Sequence, residues 1–242
     1  MSKILILIYG VVAYAVGMGG LTFFILYVGG WSFMPIHVDS GEVGPIGTAI
    51  MMNVGLILLW GVQHSVMARP GFKEIWTRVI PKSIERSTYT LLSGILMLVI
   101  CLNWRALDGM LWDVESSIPQ TILLVLHVCG WVIAVIATFL INHFELFGLQ
   151  QVWLNFKEKP EPSPSYTEKF LYKIVRHPLQ MGILMGLWFT PTMSMTLFFL
   201  SATMTIYIFI GLHFEEKDLV KSLGESYADY QSRVRKLLPI PK

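Results

Sequence analysis

Two stretches of this 242-residue chain combine residue types that can do chemistry. In "VRHPLQMG", Arg176, His177 and Pro178 stand directly before an apolar run, and Gly182 follows four residues on. In "GLHFEEKDLVKSLGESYADY", His213, Glu215 and Glu216 close the next apolar run. Pro178 suits the first turn of a helix, where its missing N–H costs nothing. The N–H groups of that turn carry partial positive charge, and with Arg176 beside them they would hold a carboxylate or another anion. An ion pair between Arg176 and Glu215 or Glu216 is the alternative use of the same residues. The proline restricts His177 to extended backbone. Gly182 and Gly186, four apart, admit close approach by another helix or a flat ligand. The glutamates would accept from ribose hydroxyls or an amino group.

A third cluster lies in "FLINHFELFGLQQVW", residues 139–153, where Asn142, His143 and Glu145 end an apolar run. On a continuing helix Asn142 and Glu145 share a face, and the group reads as the rim of a pocket with acid–base capacity. His64, in "GVQHSVMARP", is either a helix–helix hydrogen-bonding group or a site wall, and His127 packs neutral against a neighbouring helix. Cys101 and Cys129 lie in apolar runs without CxxC spacing and act as small buried hydrophobes. The scattered histidines lack metal-ligand spacing, so no metal is expected.

The elements that position these groups follow from the composition. Hydrophobic residues make up 54% of the chain and charged ones 14%, against about 25% charged in a soluble domain. The chain is therefore a membrane protein, with no strand alternation long enough for a barrel. Crossing a bilayer takes about 20 apolar residues per helix. Five segments serve: Ile4 to Gly29, Ile46 to Ala68, Tyr89 to Trp104 (short unless Ser87 and Thr88 extend it), Thr121 to Ile141 and Met193 to Leu212. The first reads as a retained span and not a removable signal. Leu179 to Thr190 reaches only about 18 Å as a helix. With the break "TPTMS" after it, this segment is the short arm of a hairpin with the last span. All but Arg105 of the 18 Lys and Arg residues fall in 1–3, 69–87, 142–178 and the tail, while 30–45 and 105–120 are acidic. The positive-inside rule then puts both termini in the cytoplasm. The expected fold is an all-α integral membrane protein in one domain, 1–242, with a cytoplasmic segment at 213–242.

"RHPLQMG", a hydrophobic hairpin and "EEKDLVKSLGESYADY" together resemble the isoprenylcysteine carboxyl methyltransferase superfamily of integral membrane methyltransferases. The pattern falls on Arg176, His177, Pro178, Gly182, Glu215, Glu216, Leu219, Leu223, Gly224, Tyr227 and Tyr230. Gln180 stands where many relatives carry Tyr. "LIYGVVAY", "VQHSVMARPGFK", "ERSTYTLL", "WRALDGMLWDV" and "TFLINHFELFGLQQVW" extend the likeness over nearly the whole chain to the bacterial methanethiol S-methyltransferases, neighbours of the NnrU-like membrane proteins. The resemblance implies methyl transfer from S-adenosylmethionine to methanethiol, giving dimethyl sulfide, at a cytoplasm-facing site in a bacterial inner membrane. It also implies cofactor contacts at Arg176, His177, Pro178, Gly182, Glu215, Glu216, Tyr227 and Tyr230. The thiolate is the good nucleophile, so a base is expected: His143, or Glu145 with it, held by Asn142. His64 and Tyr207 are reserves on the thiol side. The partners expected are a small thiol and the lipid bilayer, with no nucleic acid and no obligate protein partner. Carboxyl methylation of a prenylated cysteine, or methylation of another small nucleophile, is the alternative within the enzyme class, and a non-enzymatic transporter or sensor the alternative outside it.

Overall fold

The computed structural model describes residues 2–162 and 166–239. In chain order its elements are α1 (Lys3–Val28), α2 (Ile46–Ala68), α3 (Pro70–Trp76), α4 (Lys82–Asn103), β1 (Met110–Asp113), α5 (Ser117–Ile141), α6 (His143–Leu146), α7 (Leu149–Phe156), α8 (Pro178–Trp188), β2 (Thr192–Ser194), α9 (Met195–Leu223) and α10 (Glu225–Arg233). Five of them, α1, α2, α4, α5 and α9, are long and apolar enough to cross a membrane. The fold is thus mainly helical and membrane-spanning, as the hydropathy pattern requires, and the only sheet among the described residues is the pair β1 and β2. The chain divides into two compact units, residues 1–108 with 143–163, and residues 109–142 with 164–242.

In the first unit α1 and α4 run parallel. Ile6 packs with Ile84 near their starts, the Tyr9 hydroxyl meets Thr88 Oγ1 at 2.8 Å, and glycines bring the backbones together further along. A Cβ at Gly20 would lie 2.4 Å from the Gly94 carbonyl oxygen, the small-residue contact that membrane helices use in place of a hydrophobic drive. Helix α2 runs antiparallel to α4. Near its start the fully buried Asn53 accepts the Arg105 N–H and donates to the Arg105 carbonyl, both at 2.8 Å. This closes the backbone just past the end of α4, where apolar surroundings offer no water. Ile4, Leu5, Ile8, Val11 and Val12 of α1 stay exposed, a liability in water and the proper surface in lipid.

In the second unit α5 and α8 pack through Gly130, Gly182 and Gly186. A Cβ on Gly182 would stand 2.4 Å from the Gly130 oxygen and 2.6 Å from the Ala134 nitrogen, and one on Gly130 would stand 2.6 Å from the Gly186 nitrogen. The glycine of the RHPLQMG stretch is therefore accounted for by a helix neighbour. Gly182→Ala should lower the thermal midpoint of the purified protein by overpacking, at about 1–3 kcal/mol. Gly19→Ala, with nothing within 4 Å of the new Cβ, should leave that midpoint in place.

Several expected boundaries shift. The third span begins at Lys82, not Tyr89, and is long enough to cross. The last one runs past Leu212 to Leu223; at about 43 Å it exceeds the hydrocarbon thickness of about 30 Å, so its final turns project beyond the lipid. The break at "TPTMS" is strand β2, paired antiparallel with β1 in the register Met110↔Ser194, Trp112↔Met193 and Asp113↔Thr192. Trp112 Nε1 donates to the Thr190 carbonyl at 3.1 Å and the Thr192 hydroxyl to Asp113 at 2.8 Å. Helix α8 starts near the C-terminal half of α5, through Gly182 and Ala134, and the chain beyond it reaches the segment preceding the α5 N-terminus. The arm therefore spans the length of α5 as a short helix plus an extended stretch. The helix expected to carry Asn142 and Glu145 on one face does not continue: α5 stops at Ile141, Asn142 is extended (φ 176°), and α6 starts afresh at His143.

Candidate functional site

In the second unit the RHP stretch is fixed by its backbone before its side chains act. Residue 175 bridges Arg235 in parallel, the Arg176 N–H donates to the Arg235 carbonyl at 2.8 Å, and the His177 N–H to the Lys236 carbonyl at 3.1 Å. Pro178 opens α8 as its first residue and His177 is its N-cap, in non-helical backbone. Both neighbours then aim at one carboxylate. Glu216, on the projecting end of α9, accepts from Arg176 Nε at 2.9 Å and Nη2 at 2.6 Å, and from His177 Nε2 at 3.1 Å, all on Oε1. Lys236 Nζ holds Oε2 at 2.8 Å. A carboxylate accepts only, so the His177 proton is on Nε2. The other guanidinium nitrogen, Nη1, donates to the carbonyls of Gln231 and Val234. One buried carboxylate thus joins the start of α8, the end of α9, the end of α10 and the tail.

Glu215 is exposed, one residue round the helix from Glu216. Tyr227 and Tyr230 are buried with Val234 and pack against Tyr166, Leu219 and Leu223, and the Tyr230 hydroxyl donates to the Tyr172 carbonyl. Burial, with Glu168 nearby, pushes the Tyr230 phenol up to about 12, so it stays a donor. These tyrosines hold α10 against the motif. The donor set around the node bears on an amino-acid-bearing nucleoside. Both Glu216 oxygens and all three Arg176 nitrogens are already engaged, so their part is to frame the site. Groups outside the node fit the ligand: the Glu215 carboxylate suits a diol or an amine, and the first turn of α8 suits a carboxylate.

The first unit holds His143, Glu145 and His64. His143, 8% exposed, shares a 2.7 Å hydrogen bond through Nε2 with the Tyr14 hydroxyl of α1. Phe144 and Phe147 flank the ring at centroid distances of 5.4 and 4.9 Å. Burial lowers the pKa of His143 from its ordinary value, so the imidazole is neutral and able to accept a proton at pH 7. Glu145 is half-buried beside it, and its carbonyl receives Gln151 Nε2 at 3.1 Å. The turn that presents them is pinned to the start of α4. Arg86 Nε donates to the Leu146 carbonyl at 2.7 Å and the Ser87 hydroxyl to the Gly148 carbonyl at 3.0 Å. Gly148, at φ 85°, would place a Cβ 2.5 Å from the Ser87 nitrogen. Tyr14 has a weak sequence signal only, a lone phenol within an apolar run.

His64 contributes helix–helix bonds. Its Nε2 meets the Tyr89 hydroxyl at 2.8 Å and its Nδ1 the Ser93 hydroxyl at 3.1 Å, with Trp60 stacked at 4.7 Å. Buried His127 accepts from Trp131 Nε1 at 3.3 Å. Asn142 and Tyr207 belong to the second unit, Asn142 as the C-cap of α5 and Tyr207 half-buried in mid-α9.

The chain is 41% identical over 241 residues to a methanethiol S-methyltransferase of Mycobacterium tuberculosis, covering 100% of this chain and 98% of that one. It is 44% identical over 206 residues to the enzyme of that name from Pseudomonas deceptionensis, covering 85% and 79%. With the one from Crocosphaera subtropica it shares 38% over 239 residues, covering 99% and 93%. No family model and no solved structure matches the chain. Similarity of that extent over nearly the whole of both chains makes the chain a member of the methanethiol S-methyltransferase family.

Proposed function

We propose that the protein methylates methanethiol to dimethyl sulfide, with S-adenosylmethionine as donor, at the cytoplasmic face of a bacterial inner membrane. The observation that carries this reading is similarity to relatives of that name over essentially the whole length of both chains. The lysine and arginine distribution supports the orientation. The donor supplies its methyl group by in-line displacement at the sulfonium carbon, so catalysis rests mainly on positioning and on a thiolate acceptor. Arg176, His177 and Glu216, with Lys236, form the frame of the cofactor segment. Glu215 and the first turn of α8 at Pro178 bind the cofactor's polar ends. Tyr227, Tyr230 and Gly182 act through packing. His143, with Tyr14 beside it, takes the thiol proton, and Glu145 is its supporting group.

Headspace gas chromatography tests the reaction. Membranes containing the protein, given S-adenosylmethionine and methanethiol, should release dimethyl sulfide, and less product should form with longer thiols or hydrogen sulfide. Saturable S-adenosylhomocysteine binding without dimethyl sulfide would move the assignment to another methyl acceptor. Absence of both would overturn it.

A further inference from the structure

One cavity among those with no task in the proposed reaction carries a chemical signature of its own. It lies wholly in the first unit, at the end where α1 and α4 both begin, has a volume of about 460 Å³, and is lined by Lys82, Ser83, Gln151, Asn155, Lys159 and Glu161 over an apolar floor of Ile6 and Leu154. Four features define what would fill it. Helix α4 starts at its wall without a side-chain cap, so first-turn N–H groups and the positive end of a 22-residue helix face that region. Two ammonium groups, Lys82 and Lys159, line it, and Lys82 is only loosely paired with Glu161 at 3.5 Å. The side-chain carbonyl oxygens of Gln151 and Asn155 have no hydrogen-bond partner, and buried acceptors of this kind are rare without a donor. Ile4, Leu5 and Trp153 remain exposed at the same end of the unit, and Lys157 lies over the Trp153 ring at 5.0 Å, the pairing of aromatic and cation found at the membrane–water boundary.

We infer that this cavity binds the headgroup of a membrane phospholipid, one whose phosphodiester is followed by a hydrogen-bond donor. The phosphate is placed by Lys82, Lys159 and the α4 terminus. The donor, an ethanolamine ammonium or a glycerol hydroxyl, satisfies Gln151 and Asn155, and the glycerol backbone rests on Ile6 and Leu154. Choline carries no N–H or O–H, so it leaves both carbonyls unmet.

Native mass spectrometry of the detergent-purified protein, titrated with phosphatidylethanolamine, phosphatidylglycerol or phosphatidylcholine of equal chain length, tests this. The first two should be retained about fivefold over the third, the worth of one buried donor at about 1 kcal/mol. Lys159→Gln should lower retention about fivefold, and Asn155→Leu should reduce the discrimination against choline. Equal retention of all three lipids by the wild-type protein overturns the inference without recourse to any variant. Displacement of the lipid by inorganic phosphate at equal concentration also overturns it, since the cavity would then be a simple anion site.

Discussion

Glu216→Ala should abolish saturable S-adenosylhomocysteine binding by calorimetry and also lower the thermal midpoint, whereas Glu215→Ala should weaken binding and leave the midpoint in place. The asymmetry follows from the rotation of about 100° between adjacent residues of a helix. Glu216 is 9% exposed and anchors Arg176, His177 and Lys236; Glu215 points to solvent. Truncating one partner of a buried ion pair costs about 3–5 kcal/mol, because the remaining charge is stranded. The Arg176 side chain, at 9% exposure, bears most of that cost, and Lys236, at 36%, recovers water and bears less. Without the carboxylate the guanidinium has no reason to stay between α9 and the tail, and the pairing of 175–177 with the tail loosens with it. Glu216→Gln keeps an acceptor but loses the charge assistance that roughly doubles such bonds, so it should fall between wild type and alanine in both measurements. Arg176→Lys cannot span Glu216 and two backbone carbonyls at once, and should resemble the alanine variant. A lowered midpoint with unchanged affinity would sink the cofactor assignment while leaving the node as a structural clasp.

The same node shows what the sequence made legible. The apolar runs announce themselves by length, since a bilayer crossing needs a fixed number of residues, and the second span matches its expected bounds at Ile46 and Ala68. The end of α9 was hidden because hydropathy fails at His213, while the charged residues that follow are good helix formers and carry the helix on to Gly224, at φ 65°. Which of two adjacent glutamates turns inward was encoded in a stripe at four-residue spacing, Ile208, Leu212 and Glu216, all buried. Lys236 was not legible, since only the pairing of residues 175–177 with the tail, 60 positions away, brings it to the carboxylate. Neither was the break at Asn142, which has no proline or glycine beside it to announce it. Tyr14 was missed because a single phenol in an apolar helix looks like filling until the fold brings His143 to it.

His143→Ala should reduce dimethyl sulfide production at saturating cofactor by about 10²–10⁴, the range for a positioned general base, with cofactor affinity unchanged. The group that matters is the neutral ring, and its burial decides the pH dependence. Desolvation disfavours imidazolium, so His143 titrates below the ordinary histidine value of about 6.5. Turnover of the wild-type protein should therefore hold steady as pH falls through 6.5 and decline only below it, when the ring takes a proton. The linkage sign runs the same way. The unfolded chain binds that proton first, so stability is full above about pH 6.5 and is lost as pH falls towards the folded pKa. The acid limb must accordingly be measured with the thermal midpoint at each pH, and a limb that merely follows the midpoint reports unfolding and not catalysis. Tyr14→Phe separates position from proton transfer. The phenol bonded to Nε2 orients the ring, so its loss should lower turnover by less than the alanine variant does. If His143→Ala instead keeps wild-type turnover across the pH series, the thiol loses its proton elsewhere, and Glu145, half-buried two residues along α6, becomes the next group to remove.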